Sequence, residues 1–128
     1  MSALHNVDIV VVDDDAEAAQ TLAELLQTDG YAVRSASSGA EALQLIMERR
    51  PLGVLLDVDM PAINGYQLAR RLREHFAGDL VLIAFTGLGD EAALVQQTLP
   101  LVDDFLRKPV DPKQLRKIFP QLGGSSPT

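Results

Sequence analysis

An α/β fold built on a doubly wound, parallel five-stranded sheet is predicted by three features of the sequence. Apolar runs alternate with amphipathic stretches five times between Ile9 and Phe119. The intervening stretches are long enough for right-handed crossovers between parallel strands. Three runs, Ile9 to Val12, Leu52 to Leu56 and Leu80 to Phe85, are solidly apolar, as strands covered on both faces are, whereas Tyr31 to Ser35 and Asp104 to Arg107 are mixed, as edge strands are.

Each element has a local cause. Ile9-Val10-Val11-Val12 is β-branched and stops at Asp13-Asp14-Asp15. These acids also open a helix, because carboxylates satisfy free N–H groups and complement the macrodipole; Ala19, Leu22, Ala23 and Leu26 form its apolar stripe and Gly30 ends it. Ser38-Gly39-Ala40-Glu41 has capping-box spacing, with Ala42, Leu43, Ile46 and Met47 on the apolar face behind it and Pro51 closing the segment. After the third strand, Asn64-Gly65 is a turn signal, and Gly65, Leu68, Ala69, Leu72 and Phe76 share one face of a third helix. Arg70, Arg71, Arg73 and Glu74 fall opposite, as a solvated charged face. Gly87-Leu88-Gly89-Asp90 leads into a fourth helix from about Glu91 to Thr98 with a poor apolar pattern. Asp111-Pro112 supplies an N-cap and a proline at the first helical position; Leu115, Ile118 and Phe119 face inward, and Pro120 is expected to stop the helix.

Composition narrows the function. The 128 residues suit one domain, with about two-thirds of the unfolded surface available for burial. Eighteen acidic against 11 basic residues give a net charge of −7, which argues against direct binding of nucleic acid or an anionic membrane and is compatible with binding a cation. Cysteine is absent, so disulfides and thiolate metal sites are excluded. No apolar run approaches the roughly 18 residues of a membrane span, and the N-terminus lacks a signal-peptide pattern, so a cytoplasmic protein is expected.

With the apolar runs central, the strand order becomes 2-1-3-4-5, that of a flavodoxin-like (βα)5 sandwich, whose ligands bind at the carboxyl ends of the strands. Asp13, Asp14 and Asp57 then converge at one end of the sheet, with Thr86 and Lys108 arriving from the fourth and fifth strands. An Asp after a strand commonly caps a loop, but independent capping does not predict this set. Two carboxylates about 4 Å apart repel by roughly 1–4 kcal/mol, so three call for a counter-ion. The donors are all oxygens, which favours Mg²⁺, with Mn²⁺ as substitute, over zinc. His5 and His75 have no partner in the pattern.

Val11-Val12-Asp13-Asp14, Leu56-Asp57-Val58-Asp59-Met60-Pro61 with Asn64-Gly65, Phe85-Thr86-Gly87 and Phe105-Leu106-Arg107-Lys108-Pro109 occur in that order. Together they resemble the receiver domains of two-component response regulators, over about Val7 to Phe119. The resemblance implies that Asp57 accepts a phosphoryl group from the phosphohistidine of a sensor histidine kinase or phosphotransfer protein. It implies that Asp14 holds Mg²⁺ directly and Asp13 through water, and that Asp59 offers its backbone carbonyl to the metal. It further implies that Thr86 and Lys108 bind the phosphoryl oxygens, that Phe105 rotates with the Thr86 shift, and that the Lys108-Pro109 bond is cis.

The chain departs from the family's usual pattern at three places. Phe105 stands where Tyr is commonest, Leu99 to Asp104 replaces a small Gly-containing turn, and Gly78-Asp79-Leu80 lacks the proline often found before strand four. Asp57-Val58-Asp59 also resembles the nucleophile motif of haloacid-dehalogenase-like phosphatases, but Pro61 stands where that motif wants Thr or Val and no cap segment follows. A receiver-like interaction module that is not phosphorylated is the other rival, and the intact acids, Thr86 and Lys108 weigh against it. The expectation is a receiver over 1–119 with a flexible Gly/Ser/Pro tail over 120–128, signalling to a downstream protein target that the sequence does not name.

Overall fold

The computed structural model describes residues 8–122. Five strands, β1 (Asp8–Val12), β2 (Ala32–Ala36), β3 (Gly53–Asp57), β4 (Val81–Thr86) and β5 (Asp104–Arg107), alternate with α1 (Ala16–Thr28), α2 (Gly39–Glu48), α3 (Gly65–Phe76), α4 (Ala93–Thr98) and α5 (Pro112–Leu122). The strands pair in parallel in the order β2-β1-β3-β4-β5, as the apolar and mixed runs required.

Side chains on a strand alternate in direction, so the sheet divides its apolar residues between two cores. Val10, Val12, Val54, Leu56, Leu82 and Ala84 pack with Ala42 and Ile46 of α2 and Leu68 and Leu72 of α3. Ile9, Val11, Leu55, Ile83 and Phe85 face the other way, onto Ala19 and Leu26 of α1 and Leu115 of α5. Each large apolar side chain so buried contributes about 1.5–3 kcal/mol against exposure. The result for the acidic residues is purely geometric. Strands β1 and β3 are neighbours that end on the same side of the sheet, which brings Asp13, just beyond β1, and Asp57, the last residue of β3, together.

The local signals hold with several corrections. Asp15 caps α1, accepting from the backbone N–H of Glu17 at 3.1 Å and of Ala18 at 3.2 Å. Asn64 and Gln67 form a reciprocal capping box on α3. Ser38 caps α2, but Glu41 reaches back to Ser37 N (2.7 Å) rather than to the cap itself. Met47, placed by periodicity on the inner face of α2, is 53% exposed, because α2 packs through its Ala42–Ile46 edge. Leu52, at the head of the third apolar run, is also exposed and lies outside β3.

Helix α4 begins at Ala93, two residues later than the pattern suggested; no side chain caps it and the loop before it contains two glycines. Helix α5 continues past Pro120 to Leu122, since a proline deletes one backbone hydrogen bond and bends a helix without necessarily ending it. Of the tail expected over 120–128, residues 120–122 belong to α5 and 123–128 lie outside the described residues, as does the placement of the Phe119 side chain.

Arg73 is the largest departure from the sequence reading. It is not part of a solvated face: its guanidinium donates to the carbonyls of Leu101, Ala77 and Leu80 at 2.7 Å each and to Asp103 at 2.9 Å. Asp103 in turn accepts from Leu82 N at 2.8 Å, and its own N–H donates to Leu82 O. The unusual Leu99–Asp104 stretch is thereby fastened to the end of α3 and the start of β4, with a 3₁₀ turn at Leu99–Leu101 in place of a glycine turn.

Candidate functional site

Asp57 is the last residue of β3 and is 1% exposed; Asp13, one residue past β1, is 2% exposed, and Asp14 beside it faces solvent. One carboxylate oxygen of each of the three lies within 4.8 Å of the others. The backbone holds two of them in place. Asp13 Oδ1 accepts from Asp15 N at 3.0 Å, and its own N–H donates to Ala36 O at 3.1 Å. Asp57 Oδ1 accepts from Asp59 N at 3.3 Å, which brings the exposed Asp59 back towards the end of β3.

The loop after Asp57 closes on Gly65, whose N–H donates to Val58 O at 2.8 Å. A Cβ on residue 65 would sit 2.5 Å from Asp57 O and from Val58 Cα, so only glycine allows α3 to start against the strand that carries Asp57. Asn64-Gly65 was legible as a turn; that the glycine is a backbone contact at the site was not.

Lys108 follows β5, and the Lys108-Pro109 bond is cis. Its backbone N–H donates to Thr86 O at 2.9 Å. Its ammonium lies 3.0 Å from Asp57 Oδ2 and 3.5 Å from Asp13 Oδ2. Burial pushes the Asp57 carboxyl up to about 6; the Lys108 hydrogen bond opposes that shift and the neighbouring Asp13 charge adds to it. Burial pulls the Lys108 ammonium down, but Asp57 and Asp13 outweigh it, so its pKa is raised.

Thr86 ends β4 and is buried, its hydroxyl accepting from Leu88 N at 2.9 Å. Phe105, half-buried on β5, packs against the core formed with α2 and α3. The fold therefore brings Asp13, Asp14, Asp57 and Lys108 into contact distance, sets Asp59 against Asp57, and places Thr86 at the same end of the sheet.

Two participants, Phe85 and Arg107, stand within the quoted motifs but have no role of their own in the sequence reading. Phe85, 2% exposed and adjacent to Thr86, lies beneath the Lys108 ammonium, with 5.3 Å from Nζ to the ring centroid. Arg107 donates to Leu88 O at 3.1 Å and pairs with Asp90, tying β5 to the loop after β4. An aromatic directly before Thr86 was the available signal for the first; the second had none. A cleft of about 700 Å³ beside the acids is lined by Asp13, Asp15, Leu22, Phe85, Lys108 and Val110, among others, and opens between α1 and the segment after β5.

The donor set suits a hard divalent cation. Three carboxylates face one ammonium, leaving two uncompensated negative charges if all four groups are ionised. All of the donors are oxygens grouped within 4.8 Å of one another, the donor chemistry that a hard cation such as Mg²⁺ takes. No cysteine or histidine belongs to the cluster, which removes the usual determinants of zinc.

The fold and site together define a small α/β domain with an acidic, cation-suited pocket at the carboxyl ends of its central strands. The chain belongs to the response regulator receiver domain family, whose model matches residues 9–119, and is a receiver domain of the two-component type. It is 36% identical over 129 residues to response regulator MprA of Mycobacterium sp. (strain KMS), a match covering 94% of this chain and 56% of that protein. A 14.6 kDa protein from Leptolyngbya boryana is 35% identical over 122 residues, covering 94% of this chain and 93% of the other. The structure of a receiver domain protein from Clostridium thermocellum superposes with a TM-score of 0.82 at 28% identity, covering 92% and 94% of the two chains. The chain spans about half the length of MprA and of several other curated relatives it matches, and nearly the whole of the Leptolyngbya protein. Among the described residues, no helix is long and apolar enough to cross a membrane.

Proposed function

We propose that this receiver is a Mg²⁺-dependent phospho-acceptor switch in the cytoplasm, with Asp57 as the nucleophile. The observation that carries this reading is the buried Asp57 carboxylate grouped with two further aspartates and contacted by Lys108 at 3.0 Å. A sensor histidine kinase or a phosphotransfer protein would present a phosphohistidine. One Asp57 oxygen forms the new O–P bond while the P–N bond breaks, and the imidazole keeps the bonding electron pair.

Phosphoryl transfer needs in-line positioning and compensation of charge on the equatorial oxygens. Asp14 would hold Mg²⁺ directly, Asp13 through water, Asp57 by its carboxylate and Asp59 by its backbone carbonyl; Mn²⁺ would substitute. When bound, the metal supplies charge neutralisation at the phosphoryl oxygens. Lys108, held by Asp57 and Asp13 beforehand, pairs with a phosphoryl oxygen. Thr86, whose hydroxyl accepts from Leu88 N beforehand, would donate its O–H to a phosphoryl oxygen, and Phe105 repacks with that shift. A change of this kind biases a two-state equilibrium and is read by a downstream partner protein. Self-catalysed phosphorylation and slow dephosphorylation are the only chemistry the site is asked to perform.

Intact-protein mass spectrometry after incubation with acetyl phosphate tests this, on wild type and Asp57→Asn, with and without Mg²⁺. One added phosphoryl group that requires both Mg²⁺ and Asp57 is the expected result. If no adduct forms, beryllofluoride binding separates rapid hydrolysis from an inert site. Failure of both would leave a phosphorylation-independent interaction module.

A further inference from the structure

The position of the Lys108 ammonium has a second determinant besides the acids. Its side chain is 36% exposed and has four rotatable bonds, so confining it has an entropic cost. The carboxylates attract it strongly while they are uncompensated. A divalent cation among them cancels most of that attraction, since three carboxylates and one ammonium sum to −2 and the ion brings +2. The face of an aromatic ring attracts a cation through its quadrupole, which an incoming metal does not neutralise.

Phe85 supplies such a face. It is 2% exposed and borders the same cleft as Lys108, with its centroid 5.3 Å from Nζ. Its backbone is anchored too: Phe85 O accepts from Val58 N at 3.0 Å, and Phe85 stands opposite Asp57 in the β3–β4 register. The ring is thus fixed to the strand pair that carries the acceptor.

We propose that Phe85 is a positioning residue, whose ring face keeps the Lys108 ammonium beside Asp57 after a divalent cation has entered the acidic cluster. The contact stands on the geometry; its effect on rate rests on the phospho-acceptor reading. Without the ring, the metal-loaded state would leave Lys108 free to swing into solvent.

Ring fluorination tests this with almost no change of shape, because each fluorine weakens the quadrupole. Residue 85 is replaced by mono-, di- and trifluorophenylalanine, with Phe85→Leu as the full deletion and melting temperature as the control for folding. The first readout is the ring-current shift of the Lys108 ε-methylene protons with and without Mg²⁺. The second is the rate of phosphoryl uptake from acetyl phosphate.

The expected result is a stepwise loss of the ring-current shift in Mg²⁺, larger than in its absence. A graded fall in rate should accompany it, reaching about 3–10-fold for the trifluoro and Leu proteins. A Lys108 resonance insensitive to fluorination in Mg²⁺ overturns the contact, and a shifted resonance with unchanged rate overturns its positioning role. If wild type neither takes up a phosphoryl group nor binds beryllofluoride, the phospho-acceptor reading fails, while the resonance still decides whether Phe85 holds Lys108.

Discussion

Strand β1 begins and ends near an aspartate, and the two carboxylates keep opposite company. At its start Asp8 is met by Arg34 at 2.7 Å and Arg49 at 3.1 Å, and the Arg34 guanidinium also donates to Leu45 O and Arg49 O. Positive charge is in excess there, every contact is made within the protein, and the arrangement staples β1 and β2 to the end of α2. Just beyond the other end, Asp13 shares a single ammonium with Asp57, with Asp14 alongside. Burying charge without compensation is unfavourable, so a fold that does so in one place and avoids it five residues away has left the first place open to a ligand. A carboxylate becomes structural or functional according to its cations, not its burial alone.

The largest expected break in this comparison is the response to Mg²⁺. A ligand that binds only the folded state at a hundred times its dissociation constant stabilises by about 2.7 kcal/mol, which is about 10 °C for a domain of this size. Wild type and Asp8→Asn should both show this rise in a thermal melt. In Asp14→Ala it should be largely lost, and an equal rise there would remove the metal assignment.

The next effect is pH dependence without metal. Asp57 is raised from its ordinary 3.8 to about 6, so ionising it costs folding free energy. Its contribution is complete below about 4 and is lost as pH rises through about 6, a loss of roughly 2.5 kcal/mol between about pH 4 and 7. The Asp57→Asn protein lacks this loss, so its stability relative to wild type should rise between pH 4 and 7, as denaturant titrations at several pH values would reveal. A difference independent of pH would mean that Asp57 ionises freely in the fold. Lys108 acts in another range: its raised pKa gives stability that persists below its ordinary 10.5 and is lost only above it.

The smallest effect lies at the compensated end. Asp8→Asn removes two charge-assisted contacts and should lower stability by about 1–2 kcal/mol, while phosphoryl uptake at Asp57 and the Mg²⁺ response persist. Loss of either property in a folded Asp8→Asn protein would show that the two ends of β1 are not independent.

Most of the fold was legible because its causes are local. The apolar runs distinguished central from edge strands, which gave the order 2-1-3-4-5, and the caps at Asp15, Ser38 and Asn64 are short-range hydrogen bonds written in neighbouring residues. Where periodicity had to choose a face without knowing the docking partner, it misplaced Met47.

The sequence by itself determined which residues could converge. Parallel central strands ending in Asp13 and Asp57, followed by Thr86 and Lys108, leave their functional groups no other place to go once the strand order is known. Only the tertiary structure decided how they are held. The pairing of Asp8 with Arg34 and Arg49, the Arg73 clasp on Asp103 and the Phe85 face under Lys108 join residues from different elements. Such contacts depend on side-chain rotamers and on how helices dock across the sheet, and those are set by packing over the whole domain rather than by any local pattern.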